Sequence, residues 1–228
     1  MRSRLLIPLG LVVVLLSGCA APSSPTSTSA PRTDVPRTDV PATESVVLRP
    51  VTDKGLPADG FTVTDDPTVT LDCGSTSFDA RPSEAAVDDN ILACAPSSAV
   101  AVACWPDALP GFMACYRDPW NTEVVRHPST GSLPTATAPD EAQPLGLLLS
   151  DGNRCLIRSG GVWNELAEHP DWYGTYSCTK DGAVWAESSD GIDRSASLWT
   201  VSVAPISGED PLRTREVVTA YFVGTAGS

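Results

Sequence analysis

The sequence predicts an all-β, disulfide-stapled and hairpin-rich domain, a sandwich or barrel-like fold in two halves, preceded by a signal peptide and a disordered linker. Three observations support this class. Apolar residues come in short runs between turn residues and not at helical spacing. Six cysteines follow Cys19, and an even number in an exported chain is typical of a disulfide framework. Asp151-Gly152 and Asp181-Gly182 are hairpin signals, because glycine accepts the positive φ that tight turns require.

The short apolar runs define the predicted elements. We predict strands, in chain order, at 67–73, 91–94, 99–105, 112–117, 145–149, 154–158, 183–185, 198–203 and 216–223. The best candidate for a short helix is 83–87. The turn-rich stretch 128–144 separates two possible halves, 46–127 and 144–228. We expect these halves to form one extracytoplasmic domain at 46–228, because a chain of this length buries enough surface for one core.

The six later cysteines are the disulfide candidates: Cys73, Cys94, Cys104, Cys115, Cys155 and Cys178. Six cysteines allow about 15 pairings, and spacing alone does not choose among them. A sequential pattern is preferred, because Cys104 and Cys115 flank a turn segment and Cys155 and Cys178 bracket a candidate hairpin. A zinc site is not expected, since no Cys-x-x-Cys spacing occurs and the two histidines are not spaced as ligands.

The N-terminus has the pattern of an export signal. An apolar run at 5–16 follows Arg2 and Arg4, and it is shorter than the roughly 20 residues that span a bilayer. The run ends in Leu16-Ser17-Gly18-Cys19, which resembles the lipobox of bacterial lipoproteins. The resemblance implies that residues 1–18 are removed and that Cys19 carries a diacylglyceryl group and a further acyl chain such as palmitate. A plain secretory signal followed by a chance cysteine is the alternative.

The residues after Cys19 predict a tether. The segment 20–45 consists largely of Ala, Pro, Ser and Thr and includes a tandem Pro-Arg-Thr-Asp-Val repeat at 31–40. Such a composition cannot bury enough apolar surface to offset the entropy of ordering the chain. We therefore assign 19–45 as the lipidated cysteine and a disordered spacer. Together with the lipobox resemblance, this spacer predicts that the domain is held by its lipid anchor on the outer face of the cytoplasmic membrane.

The charge excludes one class of partner. Of the 15 Lys and Arg residues, Arg2 and Arg4 lie in the signal, so 13 remain against 28 Asp and Glu, a net charge near −15. Nucleic-acid binding requires basic patches that neutralise phosphates. No nucleic-acid partner is expected, and the acidity is interpreted as a solubility feature.

Several short blocks resemble a known family. They are 114–120, 150–155, the pair Gly160-Gly161, 172–178, 191–195 and 218–224. Together these blocks resemble a family of exported or lipid-anchored actinobacterial proteins that has no assigned activity. The resemblance spans about 71–225 and implies an envelope location and a stapled domain. It implies no catalytic residue.

Catalytic patterns are missing from the sequence. There is no Gly-x-Ser-x-Gly, His-Glu-x-x-His, phosphate-binding or dinucleotide-binding motif. His127 and His169 both precede proline and are predicted as surface or turn residues. The doublets Asp65-Asp66 and Asp88-Asp89 are interpreted as solvated turns, because adjacent strand residues point to opposite faces. We expect no enzyme activity, no cofactor and no metal.

Aromatic residues give the clearest candidate for a ligand surface. Trp163, Trp172, Tyr173 and Tyr176 fall close together in the chain. An exposed aromatic platform can stack on a ligand, whereas the alternative is that the rings pack over Cys155 and Cys178. Trp163, Trp172 and Tyr173 are the ligand-binding candidates, and Tyr176 is expected to point inward.

Two functions remain open. The first is a non-enzymatic binding or scaffolding domain that holds a cell-wall polymer, another envelope protein or a small ligand. The second is a cell-wall hydrolase that uses two carboxylates, or His169 and a carboxylate, in a cleft. The missing catalytic motifs favour binding.

Overall fold

The computed structural model describes residues 41–74, 80–95, 101–158, 165–166, 168–180, 182–187, 190–208 and 211–227. These residues form strands, turns and loops, which confirms the all-β class. The expected helix at 83–87 is wrong. The backbone there pairs with the C-terminal strand instead, since the Val87 amide donates to the Val223 carbonyl and the Val223 amide donates to Ala85. Nowhere in the described ranges is there a helix that could cross a bilayer.

The described ranges contain fifteen strands. In chain order they are β1 (Glu44–Thr52), β2 (Thr62–Asp65), β3 (Leu71–Asp72), β4 (Arg81–Pro82), β5 (Leu92–Ala93), β6 (Cys104–Pro106), β7 (Phe112–Cys115), β8 (Glu123–Thr130), β9 (Gly146–Leu149), β10 (Arg154–Ile157), β11 (Tyr173–Cys178), β12 (Gly182–Ala186), β13 (Ile192–Asp193), β14 (Thr200–Ala204) and β15 (Arg213–Ala226).

Six strands close into a barrel. Their order is β15-β9-β10-β11-β12-β14, and pairing of β14 with β15 completes the ring. Each neighbouring pair within the ring is antiparallel. Two further strands flank it, with β1 parallel to β15 and β13 antiparallel to β14. Closure leaves no open edge within the ring, which is how small antiparallel barrels avoid edge-to-edge association.

The other strands form a second sheet. Its order is β2-β8-β7-β6-β5-β4, and β3 also pairs with β8. β8 has the most partners in this sheet, because it pairs in parallel with β2 and β3 and antiparallel with β7.

The three disulfides follow the sequential pattern. They join Cys73 to Cys94, Cys104 to Cys115, and Cys155 to Cys178. The second and third link residues that lie directly opposite each other on antiparallel strands. The first two bridges lie in the second sheet and its loops, whereas the third lies in the barrel.

One core serves both sheets. The barrel interior supplies Leu147, Leu149 and Val217, and the second sheet supplies Trp105 and Val124 to the same buried cluster. Residues 39–228 form a compact unit. A smaller cluster around Trp185 covers the outer face of β12. A wide groove lies at the junction of the barrel and the second sheet.

Candidate ligand-binding site

A groove of about 440 Å³ lies where the ends of β1 and β15 meet the second sheet. We call it the acidic groove. Its walls come from the turn after β1, the loop between β4 and β5, the end of β6 and the C-terminal end of β15. The residues that line it include Asp53, Lys54, Asp88, Asp89, Asn90, Trp105, Pro106, Asp107 and Thr225. Its size falls within the range of small-molecule sites, which is about 300–1,000 Å³.

The turn after β1 forms one wall because of Gly55. Its φ is +73°, a conformation that other residues rarely adopt. A Cβ at this position would stand 2.4 Å from the Pro106 carbonyl oxygen. The close approach is fixed by the Ala108 amide, which donates to the Gly55 carbonyl at 3.2 Å. Glycine is therefore required for the turn to lie against the end of β6 and place Asp53 and Lys54 at the groove.

Asp88 joins the second wall to the barrel. Its carboxylate accepts hydrogen bonds from the Thr225 amide at 2.8 Å and from the Arg49 guanidinium. Burial opposes ionisation of Asp88, but the Thr225 amide and Arg49 outweigh it and lower the pKa of this carboxyl. Asp88 is thus an ionised anchor that ties its loop to β1 and β15.

Asp89 and Asn90, which follow Asp88 in the same loop, are held by hydrogen bonds to the segment 136–138. Asp89 accepts from the Ala138 amide at 2.9 Å. Asn90 adopts a left-handed φ of 63°, and its amide donates to the Ala136 carbonyl at 2.7 Å. Asparagine tolerates this conformation better than most residues. Two polar side chains are therefore presented side by side on a fixed loop.

Trp105 and Asp107 lie on the opposite side of the groove. Trp105 is only 3% exposed, and its indole N–H donates to the Thr225 hydroxyl at 2.9 Å. The Asp107 side chain is 5% exposed, accepts from the Leu109 amide at 2.7 Å, and lies 3.7 Å from Arg126. These contacts fix an apolar floor and a buried acceptor.

The groove presents both acceptors and donors. Asp53, Asp88, Asp89 and Asp107 are its carboxylates, and Arg49 and Arg126 offset two of them through ion pairs. Lys54 has no hydrogen-bond or ion-pair partner within the described part of the chain, so its ammonium group is available. The groove stays net negative, because four carboxylates outnumber these three cations and Arg126 also pairs with Asp65. The arrangement suits a ligand that both donates and accepts hydrogen bonds.

The acidic doublets do not form a pair of facing carboxylates. Asp65 ion-pairs with Arg126, with its nearest contact at 2.7 Å, and its pKa is lowered chiefly by that hydrogen bond. Asp66 accepts from the amide and the hydroxyl of Thr68, which lower its pKa. These carboxylates hold local structure. Among the described residues no group of three His, Cys, Asp or Glu side chains is arranged to hold a metal ion.

The aromatic candidates are spread over different environments. Trp163 lies outside the described residues. Trp172 is half-buried and packs against the cluster that contains Trp185, and the His169 ring stacks on it with centroids 4.5 Å apart. Tyr173 is 45% exposed, and Tyr176 is buried with its hydroxyl donating to the Pro144 carbonyl. A ligand role for Trp163, Trp172 and Tyr173 stays a prediction.

His127 is buried, so the prediction of a surface or turn position for it is wrong. The residue is 1% exposed and lies within β8. Its Nδ1 is 3.2 Å from the Asp66 carbonyl oxygen, and its Nε2 has no hydrogen-bond partner in the described ranges. The reason is register: His127 lies directly opposite Met113, whose side chain belongs to the core of the second sheet.

Most of the acidic groove has no functional signal in the sequence. Asp88-Asp89 is predicted as a solvated turn, and Lys54, Asn90 and Trp105 belong to no motif. Their separation along the chain hides the site, because the parallel pairing of β1 with β15 brings its walls together. The local signal that was present is Asp53-Lys54-Gly55, a turn that contains both charges.

Comparison with protein-family models, curated proteins and solved structures found no match for this chain. The resemblance to actinobacterial lipoproteins therefore stays a prediction from the sequence.

Proposed function

We propose that the chain is a lipid-anchored cell-envelope protein whose β domain binds a polyhydroxylated segment of a cell-wall polymer in the acidic groove, without converting it chemically. The observation that carries this proposal is the composition of the groove. Carboxylate acceptors face an available ammonium group, above a floor that contains an indole ring.

The balance of donors and acceptors favours a neutral ligand. A hydroxyl group donates one hydrogen bond and accepts others, so a sugar can satisfy the Asp89 carboxylate and the Lys54 ammonium at once. A strongly cationic ligand would compete with Arg49 for Asp88 and with Arg126 for Asp107. Pro106, which is exposed, adds apolar surface for the C–H face of a sugar ring, and the buried Trp105 indole supports it from below.

The electrostatics of the groove favour binding over catalysis. A general acid in glycoside cleavage needs a pKa raised toward neutrality. The pKa of Asp88 is shifted the other way, and its Oδ2 already accepts hydrogen bonds from the Thr225 amide and Arg49. This carboxylate is suited to hold structure and accept hydrogen bonds.

The envelope location rests on the sequence. The lipobox-like Leu16-Ser17-Gly18-Cys19 and the tether up to residue 45 support a domain presented away from the membrane surface. Wall polymer is the polyhydroxylated material within reach of such a domain.

Co-sedimentation of the full-length protein, in nonionic detergent, with purified insoluble cell wall tests the proposal. Asp89→Asn keeps an oxygen for the Ala138 amide but removes the charge, and Lys54→Ala removes the unpaired ammonium. Each should weaken binding about tenfold, as expected for loss of one charged hydrogen bond. Asp59→Asn, an exposed aspartate outside the groove, is the matched control and should bind like the parent. Parent-like binding by both groove variants would contradict the proposal.

A cell-wall hydrolase is the second candidate, and the four carboxylates of the groove favour it. Chromatography of soluble wall fragments after incubation with the protein separates the two. Intact fragments support binding alone, whereas new reducing ends that depend on Asp89 would assign the groove to hydrolysis.

A further inference from the structure

A second pocket, of about 220 Å³, opens at one end of the barrel. We call it the barrel mouth. It lies where the β9–β10 hairpin, the β11–β12 hairpin and the connection from β14 to β15 come together. Asp151, Asn153, Lys180, Arg213 and Arg215 supply its polar lining. None of these residues belongs to the acidic groove.

The two arginines continue an inward-facing row of β15. Val217 lies in the barrel core, and alternate residues of a strand share a face, so Arg215 and Arg213 follow it toward the open end. Their partners on β14 agree, because Arg215 lies opposite the buried Val201 and Arg213 lies opposite Val203. Two guanidinium groups therefore project from the inner face where the apolar core ends.

Lys180 and Arg215 are positioned by the β9–β10 turn. The Lys180 ammonium donates to the Asp151 carbonyl at 2.6 Å. The Arg215 Nε donates to the Asp151 carboxylate at 3.2 Å. Asp151 is itself fixed by the Asn153 amide, which donates to it at 2.9 Å and is the largest influence that lowers its pKa. The β9–β10 turn thus positions the Lys180 ammonium and the Arg215 guanidinium, and each keeps further N–H groups that can donate to a ligand.

Further donors complete the site. Arg213 has no hydrogen-bond or ion-pair partner among the described residues, so its whole guanidinium fork is available. The Asn153 oxygen accepts from the Thr179 hydroxyl and the Lys180 amide, both at 3.1 Å. Its NH₂ group is left as a neutral donor. Arginine forks match the oxygen geometry of phosphate and carboxylate groups.

The charge of this lining contrasts with the rest of the chain. Over the described lining residues, three cations meet one carboxylate, whereas the whole sequence has a net charge of −13. Asp181, Glu209 and Asp210 belong to the same connections but lie outside the described residues. An excess of two positive charges fits a dianion better than a monoanion such as a carboxylate.

The volume and walls limit the ligand further. About 220 Å³ exceeds by several-fold the roughly 30 Å³ that one water occupies, so a phosphate group and a small substituent fit together. Val203, Pro205 and Pro211 form the apolar part of the wall. The mouth therefore offers an anion subsite next to a small apolar one.

We propose that the barrel mouth is a binding site for a small phosphate monoester, held by Arg213, Arg215 and Lys180. The site is separate from the acidic groove and does not depend on the function proposed there. It gives the domain a second ligand of different chemistry, a small anion bound at the barrel end in addition to a neutral polymer in the groove.

Isothermal titration calorimetry of the full-length protein in nonionic detergent tests this site, with phenyl phosphate, inorganic phosphate and acetate as probes. We expect one phenyl phosphate per chain, with affinity that falls as salt is added. Acetate should bind at least about tenfold more weakly, since it carries one charge and fewer oxygens. Tighter binding of phenyl phosphate than of inorganic phosphate assigns the site to a monoester, whereas equal affinities assign it to free phosphate.

Two variants and a control locate the binding. Arg213→Gln and Lys180→Gln should each weaken phenyl phosphate binding about tenfold. Both side chains are exposed, so thermal melting should be unchanged and at least one variant remains interpretable. Arg117→Gln, an exposed arginine that follows β7 in the second sheet, is the matched control and should bind like the parent. The proposal is overturned if neither phosphate binds saturably, if acetate binds as tightly, or if both mouth variants bind like the parent.

Discussion

Gly146 of β9 packs closely against the indole of Trp120: a Cβ on Gly146 would stand 3.0 Å from Trp120 Cη2 and 2.8 Å from the Pro119 ring. Trp120 follows β7 of the second sheet, whereas Gly146 belongs to the barrel. The indole also makes a T-shaped contact with Tyr221, with 5.7 Å between ring centroids, and its centroid lies 5.4 Å from the Arg154 guanidinium carbon. This contact fastens the second sheet to the outer face of the barrel.

The absence of a side chain at position 146 is therefore predicted to be essential for this contact. Gly146→Ala should lower the free energy of unfolding by about 1–3 kcal/mol, because the added methyl overpacks the Pro119–Trp120 contact. Urea denaturation followed by tryptophan fluorescence measures the change. Gly227→Ala is the control, since its Cβ would meet no atom within 4 Å. An unchanged unfolding midpoint for Gly146→Ala would show that the loop moves aside without cost.

Asp88 should make stability depend on pH in a defined direction. Because its pKa in the folded protein is below the ordinary value near 3.9, ionised Asp88 stabilises the fold above that value. The contribution is lost as the pH falls through the folded-state pKa. Asp88→Asn should therefore unfold at lower urea than the parent at neutral pH, and the difference should shrink at about pH 3. A difference of equal size at both pH values would mean that the charge of Asp88 is not what stabilises this junction.

The disulfide framework predicts that none of the six domain cysteines is free. Alkylation under denaturing, non-reducing conditions, followed by mass spectrometry, should modify none of them. Reduction should then lower the melting temperature sharply, because bridges closing loops of 11 to 23 residues stabilise by about 3 kcal/mol each. Two or more alkylated cysteines in the mature, unreduced protein would contradict the three-bridge structure.

The lipid anchor is tested at Cys19. We expect Cys19→Ala to abolish incorporation of a clickable fatty acid and to release the protein from the membrane fraction, since the lipobox resemblance implies that this residue carries all the acyl chains. Ser17→Ala, which retains the cysteine and a small residue before it, is the control and should still incorporate label. Equal labelling of Cys19→Ala and the parent would show that Cys19 is not the anchor.

Much of the architecture was predictable from local patterns. The hairpin signal at Asp151-Gly152 and the apolar runs around it correspond to β9 and β10. The preference for sequential bridges, which rested on the turn and the hairpin between paired cysteines, is confirmed. These features depend on residues close in the chain. Strands β1, β8 and β11 were not predicted, although they are among the longest. β8 contains His127 and Pro128, which sequence rules assign to turns, and it is a strand because it pairs on both sides within the second sheet.

The candidate sites were less predictable because they are built by distant segments. Lys54 and Asp89 line one groove only because β1 pairs in parallel with β15 at the end of the chain. Arg213 and Lys180 meet only because the barrel closes. Neither arrangement leaves a motif in the sequence. Aromatic clustering was a visible signal, but Tyr176 is a core residue and Trp172 is half-buried against the barrel.

The most direct test of the binding account is an NMR titration of the ¹⁵N-labelled protein with soluble cell-wall glycan fragments. We expect the amide shifts to concentrate at Asp53, Lys54, Asp89 and Asn90 and to saturate, and we expect the fragments to remain chemically intact throughout. Shifts centred on Tyr173 and Trp172 would move binding to the aromatic surface. The complete absence of saturable shifts would contradict the proposal that the acidic groove binds wall polymer.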